Sequence, residues 1–373
     1  MAVAQGYGKT VTSGSVFAYD TADTRNSYRG EPTVNQYTNP DFSNGTTGWA
    51  FASWDGNVTY TTEAVTGPFG KTINALKLTK NATSAYSHFH QYNSGKYTTG
   101  NQYTLSAWVK GTGTFRGNTQ WGGIVQSFTL TGDWQYVQYT VTAPNNDNYP
   151  YWAAEALTTG TVFYMVYAQS EQKSHATPFV NGTRSTTQGL LPLVGNSTID
   201  LTNVSFDSNA QMVFDGTNDY IDTTQTASTL GIYDAPYTME SVFKITNTLS
   251  GDNMVFGTTQ TAPRQGLHNG VRGGSIYLGH YAADMAAGSV SLGEMVHILW
   301  VYNGTTAFIY KNGVLQGSSN IASFIGTTNI QVGRSWAYFQ GGEIPVAKIY
   351  NRALSAGEVR QNYLHYKTRF NLS

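Results

Sequence analysis

The sequence predicts an all-β protein, and three observations carry the prediction. Only 12% of the 373 residues are charged, about half of the ~25% usual for soluble domains, so uncharged polar residues must make the surface. A long surface helix solvates its outer face with Lys, Glu and Arg, whereas a strand does so with Thr, Asn and Tyr. Short runs alternating between apolar and polar residues recur with turn signals between them, the pattern of sandwiches and barrels. Finally, 26 Tyr, 17 Phe and 8 Trp supply more buriable surface than a disordered chain carries, and 40 Gly with 10 Pro are too few for low complexity.

The same counts exclude several function classes. With 21 Lys+Arg against 22 Asp+Glu and a net charge of −1, there is no concentrated basic surface for nucleic acid. No cysteine is present, which removes disulfides, thiolate metal sites and thiol nucleophiles. No run approaches the ~18 apolar residues of a membrane span. The opening stretch, Met1-Ala2-Val3-Ala4-Gln5-Gly6-Tyr7-Gly8-Lys9, lacks the apolar core of a secretory signal. Assembly in a cytoplasm is therefore expected.

Length suggests two domains. In chain order, strands are expected at 15–20, 75–78, 103–109, 134–141 and 162–167, then at 239–245, 296–302, 307–310, 330–332 and 346–350. Asn303-Gly304 and Asn312-Gly313 are hairpin dipeptides, because both central positions of a primed turn need positive φ. Residues 297–315 thus read as a meander. Ser355-Ala356-Gly357-Glu358 is a capping box that opens one short C-terminal helix ending near Lys367.

Several motifs occur in the order of a known family. Phe214-Asp215-Gly216-Thr217-Asn218-Asp219-Tyr220-Ile221, Phe308-Ile309-Tyr310-Lys311-Asn312-Gly313 and Ile349-Tyr350-Asn351-Arg352-Ala353-Leu354-Ser355 resemble the opening strand, central hairpin and closing segment of the laminin-G-like, concanavalin A-type jelly roll. Asn39-Pro40-Asp41-Phe42, Gly48-Trp49 and Gly132-Asp133-Trp134 resemble strands of a carbohydrate-binding-module jelly roll. Ser15-Val16-Phe17-Ala18-Tyr19-Asp20 resembles the edge strand that precedes laminin-G-like domains in tailed-bacteriophage structural proteins, pairing beside the domain's last strands. The connector 173–185 resembles linkers of those proteins. The resemblance implies two β-sandwich jelly rolls, a discontinuous one of residues 1–36 and 181–373 with a second, 37–180, inserted at its edge.

Candidate sites follow from residue type and spacing. Concanavalin-type glucanases hold acid and nucleophile as closely spaced carboxylates on one strand; no two acidic residues here are two positions apart, so no enzyme is expected. There is no Gly-x-Ser-x-Gly elbow, and Gly8-Lys9-Thr10 and Gly70-Lys71-Thr72 lack the earlier glycine of a phosphate loop and read as turns. His88 and His90 have zinc-compatible spacing without a third ligand nearby, and read as a polar strand face. Asp215, Asn218 and Asp219 could offer oxygens to calcium, but their turn chemistry accounts for them, so no cofactor is expected. Loop aromatics beside polar groups are candidates for glycan contact, with packing under a loop or contact with a neighbouring subunit as the alternative role: Trp54, Trp121, Tyr151 and Trp152, near Asp55, Gln120 and Glu155, and Trp336 and Tyr338 beside Phe339. Trp108 and Trp134 read as core. The basic, aromatic C-terminal segment with Arg360, Tyr363, Tyr366, Lys367, Arg369 and Phe370 reads either as packing on its own sandwich or as an anchor onto another protein.

Together with the resemblance, these readings imply a non-enzymatic surface protein of a phage virion, either head decoration or a fibre or tail accessory. Its expected partners are other virion proteins, further copies of itself and host surface glycans. The alternative is an extracellular carbohydrate-binding protein or accessory module of a glycoside hydrolase.

Overall fold

The computed structural model describes residues 9–53, 58–82, 87–91, 97–119, 123–143, 150–154 and 156–373. It is an all-β protein whose described residues include one helix, Ala356–Lys367, and no helix among them is long and apolar enough to cross a membrane. The chain divides into two compact units, one of Pro32–Arg184 with Ser208–Ala210, the other of Met1–Glu31, Ser185–Asp207 and Gln211–Ser373.

The Pro32–Arg184 unit is a sandwich of two five-stranded antiparallel sheets. One sheet runs Gln135–Thr142, Gln102–Lys110, Val162–Glu171, Thr72–Lys80, Val58–Thr66; the other runs Ala50–Ser53, Ser87–His90, Pro150–Ala153, Thr112–Thr119, Gly123–Thr131. Strand alternation sends Leu105, Ala107 and Val109 inward from the first sheet to meet Phe89, Phe115 and Trp152 from the second. Trp152 stacks on Phe115 at 5.3 Å and takes the edge of Tyr139 at 5.0 Å. Gly117 lies directly beneath that ring, where a Cβ would sit 2.3 Å from Tyr139 Cδ1.

The residues 173–185 were expected to be a linker, and the structure corrects this. Thr177 is buried, and its amide and hydroxyl donate to Glu171 Oε2 and Oε1 at 2.9 and 2.7 Å. The segment is a packed part of the unit.

The second unit pairs an eight-stranded sheet with a six-stranded one. The larger runs Ser205–Phe206, Met212–Asp215, Gly341–Tyr350, Tyr237–Ile245, Met295–Tyr302, Thr306–Lys311, Val314–Asn320, with Ser15–Asp20 added antiparallel to Gly341–Tyr350. The smaller runs Ile221–Thr226, Asn329–Val332, Asp252–Gly257, His268–Arg272, Ser275–Gly279, Asp284–Ser289. The hairpin expected at 312–313 has positive φ at both Asn312 and Gly313. At 303–304 only Gly304 has positive φ; there Asn303 Oδ1 closes the loop by accepting from the Thr305 and Thr306 amides at 3.0 and 2.8 Å.

Tyr237–Ile245 is buried on both faces, because its outer face lies under the helix. The capping box is present, with Ser355 Oγ accepting from the Glu358 amide and the Ser355 amide donating to Glu358 Oε2 at 2.8 Å. Beneath the helix sits the fully buried Glu240. One oxygen lies 2.7 Å from His297 Nε2; the other accepts from Tyr350 Oη at 2.7 Å and Asn362 Nδ2 at 2.9 Å. Asn362 in turn accepts the Val11 amide at 2.7 Å, tying the N-terminal arm to the helix.

Of the two readings of the C-terminal segment, packing on its own sandwich is the one visible here. Tyr363 and Tyr366 are buried with Val242, Val346 and Leu372. Arg369 forms an ion pair with Asp20, and Phe370 packs on Tyr366 with ring centroids 5.9 Å apart. Short helices need such docking to exist, so these aromatics hold the helix to its own sheet. Arg360 and Lys367 remain exposed, the latter over the Tyr363 ring.

Burial alone would push the Glu240 carboxyl up, but Lys348, His297 and Tyr350 outweigh it and hold it at about 2, below the ordinary 4.5. Because the folded value is the lower one, this stabilisation is complete above the unfolded value near 4.5 and is lost as pH falls toward 2. Glu240→Ala is expected to cost about 3–5 kcal/mol by denaturant unfolding at pH 7, as for breaking a buried ion pair. Glu240→Gln is expected to flatten the fall in unfolding midpoint across that acid window.

Candidate functional site

The groove that matters most is built by the outward-facing residues of the first unit's sheet. Tyr103, Leu105, Ala107 and Val109 are buried, so Ser106 and Trp108 face the other way. On the adjacent Gln135–Thr142 strand, Val137, Tyr139 and Val141 are buried, which turns Tyr136 and Gln138 outward. Register places Tyr136 opposite Trp108 and Gln138 opposite Ser106.

On the other flank, Val162–Glu171 carries a bulge between Val166 and Gln169. Tyr167 sits in it with φ 53°, a left-handed conformation uncommon for a bulky residue. The bulge re-aims the ring toward the groove. Phe69, in the turn Gly67-Pro68-Phe69-Gly70, is 65% exposed and stands over Trp108 edge-on at 5.2 Å. The rings then run in a row: Tyr136 to Trp108 at 5.6 Å, Phe69 to Tyr167 at 6.1 Å, and Tyr167 to Phe179 at 5.0 Å.

These aromatics, with Ser106, Gln138 and the 176–178 segment, enclose about 570 Å³, and no lining residue is charged. Burial raises the hydroxyls of Tyr136 and Tyr167, so both stay protonated at neutral pH. The groove therefore offers apolar faces and neutral hydrogen-bonding groups, without the two carboxylates of glycoside hydrolysis.

Its Pro178–Phe179 wall is fixed from beneath. Besides the Thr177 bonds, Glu171 Oε1 accepts from Thr33 Oγ1 at 2.7 Å. Gln169 Oε1 accepts from the Val180 amide at 2.8 Å, and Arg184 Nη1 donates to the Pro178 carbonyl at 3.2 Å.

The second unit carries a more polar cleft of about 340 Å³. Gly257 allows the short hairpin of Arg334–Ser335 and Tyr338–Phe339 to lie on the sheet, since a Cβ there would be 2.3 Å from Ser335 Cβ. The hairpin presents Trp336 and Tyr338, 50% and 42% exposed, with rings 5.6 Å apart.

The sequence-predicted residues thus divide. Trp336 and Tyr338 are brought together at a cleft. Tyr151 and Trp152, expected in a loop, lie on the Pro150–Ala153 strand; Trp152 is fully buried in the core and cannot meet a ligand, while Tyr151 is half-buried against His88. Trp54, Trp121, Asp55, Gln120 and Glu155 lie outside the described residues. Trp108 and Trp134, expected in the core, are half-buried on the outer face, and Trp134 Nε1 donates to the Thr66 carbonyl at 2.9 Å.

His88 and His90 stack at 5.1 Å on a buried strand, and burial lowers both, His90 to about 4. Asp215 and Asp219, spaced i, i+4, are both engaged by the turn backbone: Asp215 Oδ1 accepts the Thr217 and Asn218 amides, and Asp219 Oδ2 those of Ser205 and Asp215. Among the described residues no group of three or more His, Asp or Glu is placed to hold a metal.

Residues 215–360 match the family model of the concanavalin A-like lectin/glucanases superfamily, laminin-G type. That stretch is less than half of the chain and contains the polar cleft, and the two-sheet architecture of the second unit is consistent with a concanavalin A-like jelly-roll fold. No curated protein matches the chain. Among solved structures, the enzymatically active domain of tailspike protein 4 from bacteriophage CBA120 is 16% identical, covering 37% of this chain and 21% of that one, with a TM-score of 0.29. Domain 4 of the extracellular GH43 arabinanase AbnA from Geobacillus stearothermophilus, in complex with arabinotriose, is 16% identical over 46% of this chain and 84% of that one, TM-score 0.33. The CBM22-1–GH10 modules of xylanase 10B from Clostridium thermocellum, complexed with xylohexaose, are 13% identical over 38% and 29%, TM-score 0.31. The chain thus spans about a fifth of the tailspike domain's length.

Phe69→Ala is expected to change stability by no more than about 0.5 kcal/mol, as for an exposed side chain. Trp152→Ala is expected to cost about 3–5 kcal/mol, both read by denaturant unfolding.

Proposed function

We propose that this is a non-catalytic, glycan-binding surface protein whose principal sugar site is the aromatic groove of the Pro32–Arg184 unit. One observation carries the reading: five aromatic side chains in a row, Tyr136, Trp108, Phe69, Tyr167 and Phe179, line an uncharged groove. The C–H faces of a pyranose pack on such rings, while Gln138, Ser106 and the tyrosine hydroxyls address its hydroxyls. A groove without an acid–base pair binds such a chain and leaves it intact.

We further propose that the protein belongs to a tailed-phage particle, as head decoration or a fibre or tail accessory, where the groove holds host surface glycans. The order of laminin-G-like motifs after the 15–20 strand supports this placement. Exposed Arg360 and Lys367 are the groups left on the helix for contact with other virion proteins or further copies of the chain. An extracellular accessory module would carry the same groove chemistry, and location separates the two: purified particles are expected to contain the protein by mass spectrometry, and its absence from them would favour the extracellular reading.

For the groove itself, titration calorimetry with neutral oligosaccharides is expected to show binding that Trp108→Ala weakens about tenfold or more, the scale of one lost stacking contact. Product analysis of the same sugars is expected to show no cleavage. Unchanged affinity in Trp108→Ala would overturn the assignment.

A further inference from the structure

We propose that Asn181 is a site of spontaneous covalent modification, and that its conversion to aspartate or isoaspartate unfastens the wall of the aromatic groove. The chain contains five Asn-Gly dipeptides, at 44–45, 181–182, 269–270, 303–304 and 312–313. A glycine leaves the amide that follows an asparagine unhindered, so its nitrogen can attack the side-chain Cγ. The side-chain nitrogen departs as ammonia, a cyclic imide forms, and water opens that imide at either carbonyl. One route gives Asp; the other gives isoaspartate, whose backbone runs through the former side chain and is longer by a methylene. In balance, an amide and a water become a carboxylate and an ammonium ion.

Ring closure needs a side chain and a following amide that are free to turn, and the fold grants this unequally. Asn269 is fully buried, with Oδ1 accepting from the Gly279 amide at 3.2 Å and Nδ2 against Met239 Sδ at 3.4 Å. Asn312 is buried too, its Oδ1 accepting from the His297 amide at 2.9 Å while Nδ2 donates to Ser373 O at 3.1 Å. Asn303 is exposed, but the Thr305 and Thr306 amides hold its Oδ1. Asn181 is exposed as well, and Nδ2 donates to Asp41 Oδ2 at 3.2 Å, its side chain's one hydrogen bond among the described residues. Gly182 has a φ of 98° with no atom within 4 Å of where a Cβ would stand. Asn44 is similarly exposed before Gly45 at φ 57°, and it is expected to convert as well, away from the wall.

Residue 181 lies between two carbonyls fixed by one residue. Asn35 Nδ2 donates to the Val180 carbonyl at 3.0 Å, and the Asn35 amide donates to the Gly182 carbonyl at 2.8 Å. Beyond them, Gln169 holds the Val180 amide and Thr183 pairs with Val34. A backbone lengthened by a methylene between those anchors cannot satisfy both, so an Asn35 bond opens. The new carboxylate also loses the bond to Asp41 and repels it. Phe179 adjoins Val180, so the groove wall is what comes loose. None of this depends on what the groove binds, since the readouts are covalent mass and backbone exchange.

The test ages the full chain at neutral pH and body temperature, then follows tryptic peptides by mass spectrometry and amide hydrogen exchange across 177–183. The peptide of residues 174–184 is expected to gain the mass of an amide-to-acid exchange and to separate into Asp and isoaspartate forms. Asn269, Asn303 and Asn312 are expected to convert about fivefold or more slowly, the factor for opening one hydrogen bond. Exchange across 177–183 is expected to rise with age in the wild type and in Asn44→Gln, and to stay constant in Asn181→Gln, which retains the amide but closes a ring poorly. Conversion of Asn181 as slow as that of Asn312 would overturn the proposal. So would full conversion with unchanged exchange, or a rise in exchange that persists in Asn181→Gln and disappears in Asn44→Gln.

Discussion

The groove of the first unit depends on the buried carboxylate of Glu171. Three donors, Thr33 Oγ1 and the amide and hydroxyl of Thr177, converge on it from two segments distant in sequence. The three bonds, 2.7–2.9 Å long, share one carboxyl group, and removing it strands those donors in a dry site. Thr177 precedes Pro178 and Phe179, so this one group converts an extended polar segment into a groove wall. The same strand supplies the bulge that aims Tyr167. A strand interior thereby sets both the floor and the rim of a binding surface.

The second unit uses a buried carboxylate for a different purpose. Glu240 ties the sheet to His297, Tyr350 and Asn362, and through Asn362 to Val11. The outer face of a large sheet would otherwise be a wide apolar surface facing water. Covering it with a helix, and pinning that helix with charge-assisted bonds, lets the opposite sheet carry the cleft. In a chain with so few charges, those present are placed where they organise structure: Glu171 under a wall, Glu240 under a helix, and Asp252 with Arg272 beneath a cleft.

Composition and period-two alternation were enough to read the all-β architecture, the capping box and the meander, because these depend on local chemistry. The site was less legible. Alternation on Gln102–Lys110 correctly separates Leu105 and Val109 from Trp108, but it does not say which face is covered; Trp108 was read as core because an aromatic sharing its face with the polar Ser106 and Lys110 fits either side. Trp152 failed in the opposite sense, since the chain around it gives no sign that the Pro150–Ala153 strand closes the interior. Phe69 did carry a signal, a large aromatic between Gly-Pro and Gly in a tight turn, where nothing local can bury it. The wall at 174–180 was invisible, because only the side-chain bonds of Glu171, Gln169 and Arg184 to its backbone and to Thr177 distinguish it from a linker, and no local sequence pattern announces them.

The uncharged aromatic row is the central assignment, and a crystal structure of the protein with a neutral oligosaccharide addresses it most directly. A pyranose ring stacked on Trp108 between Tyr136 and Phe69, with hydroxyls within hydrogen-bond distance of Gln138 or Ser106, is the expected result. Saccharide density seated elsewhere, with the groove filled only by solvent at saturating ligand, would contradict it.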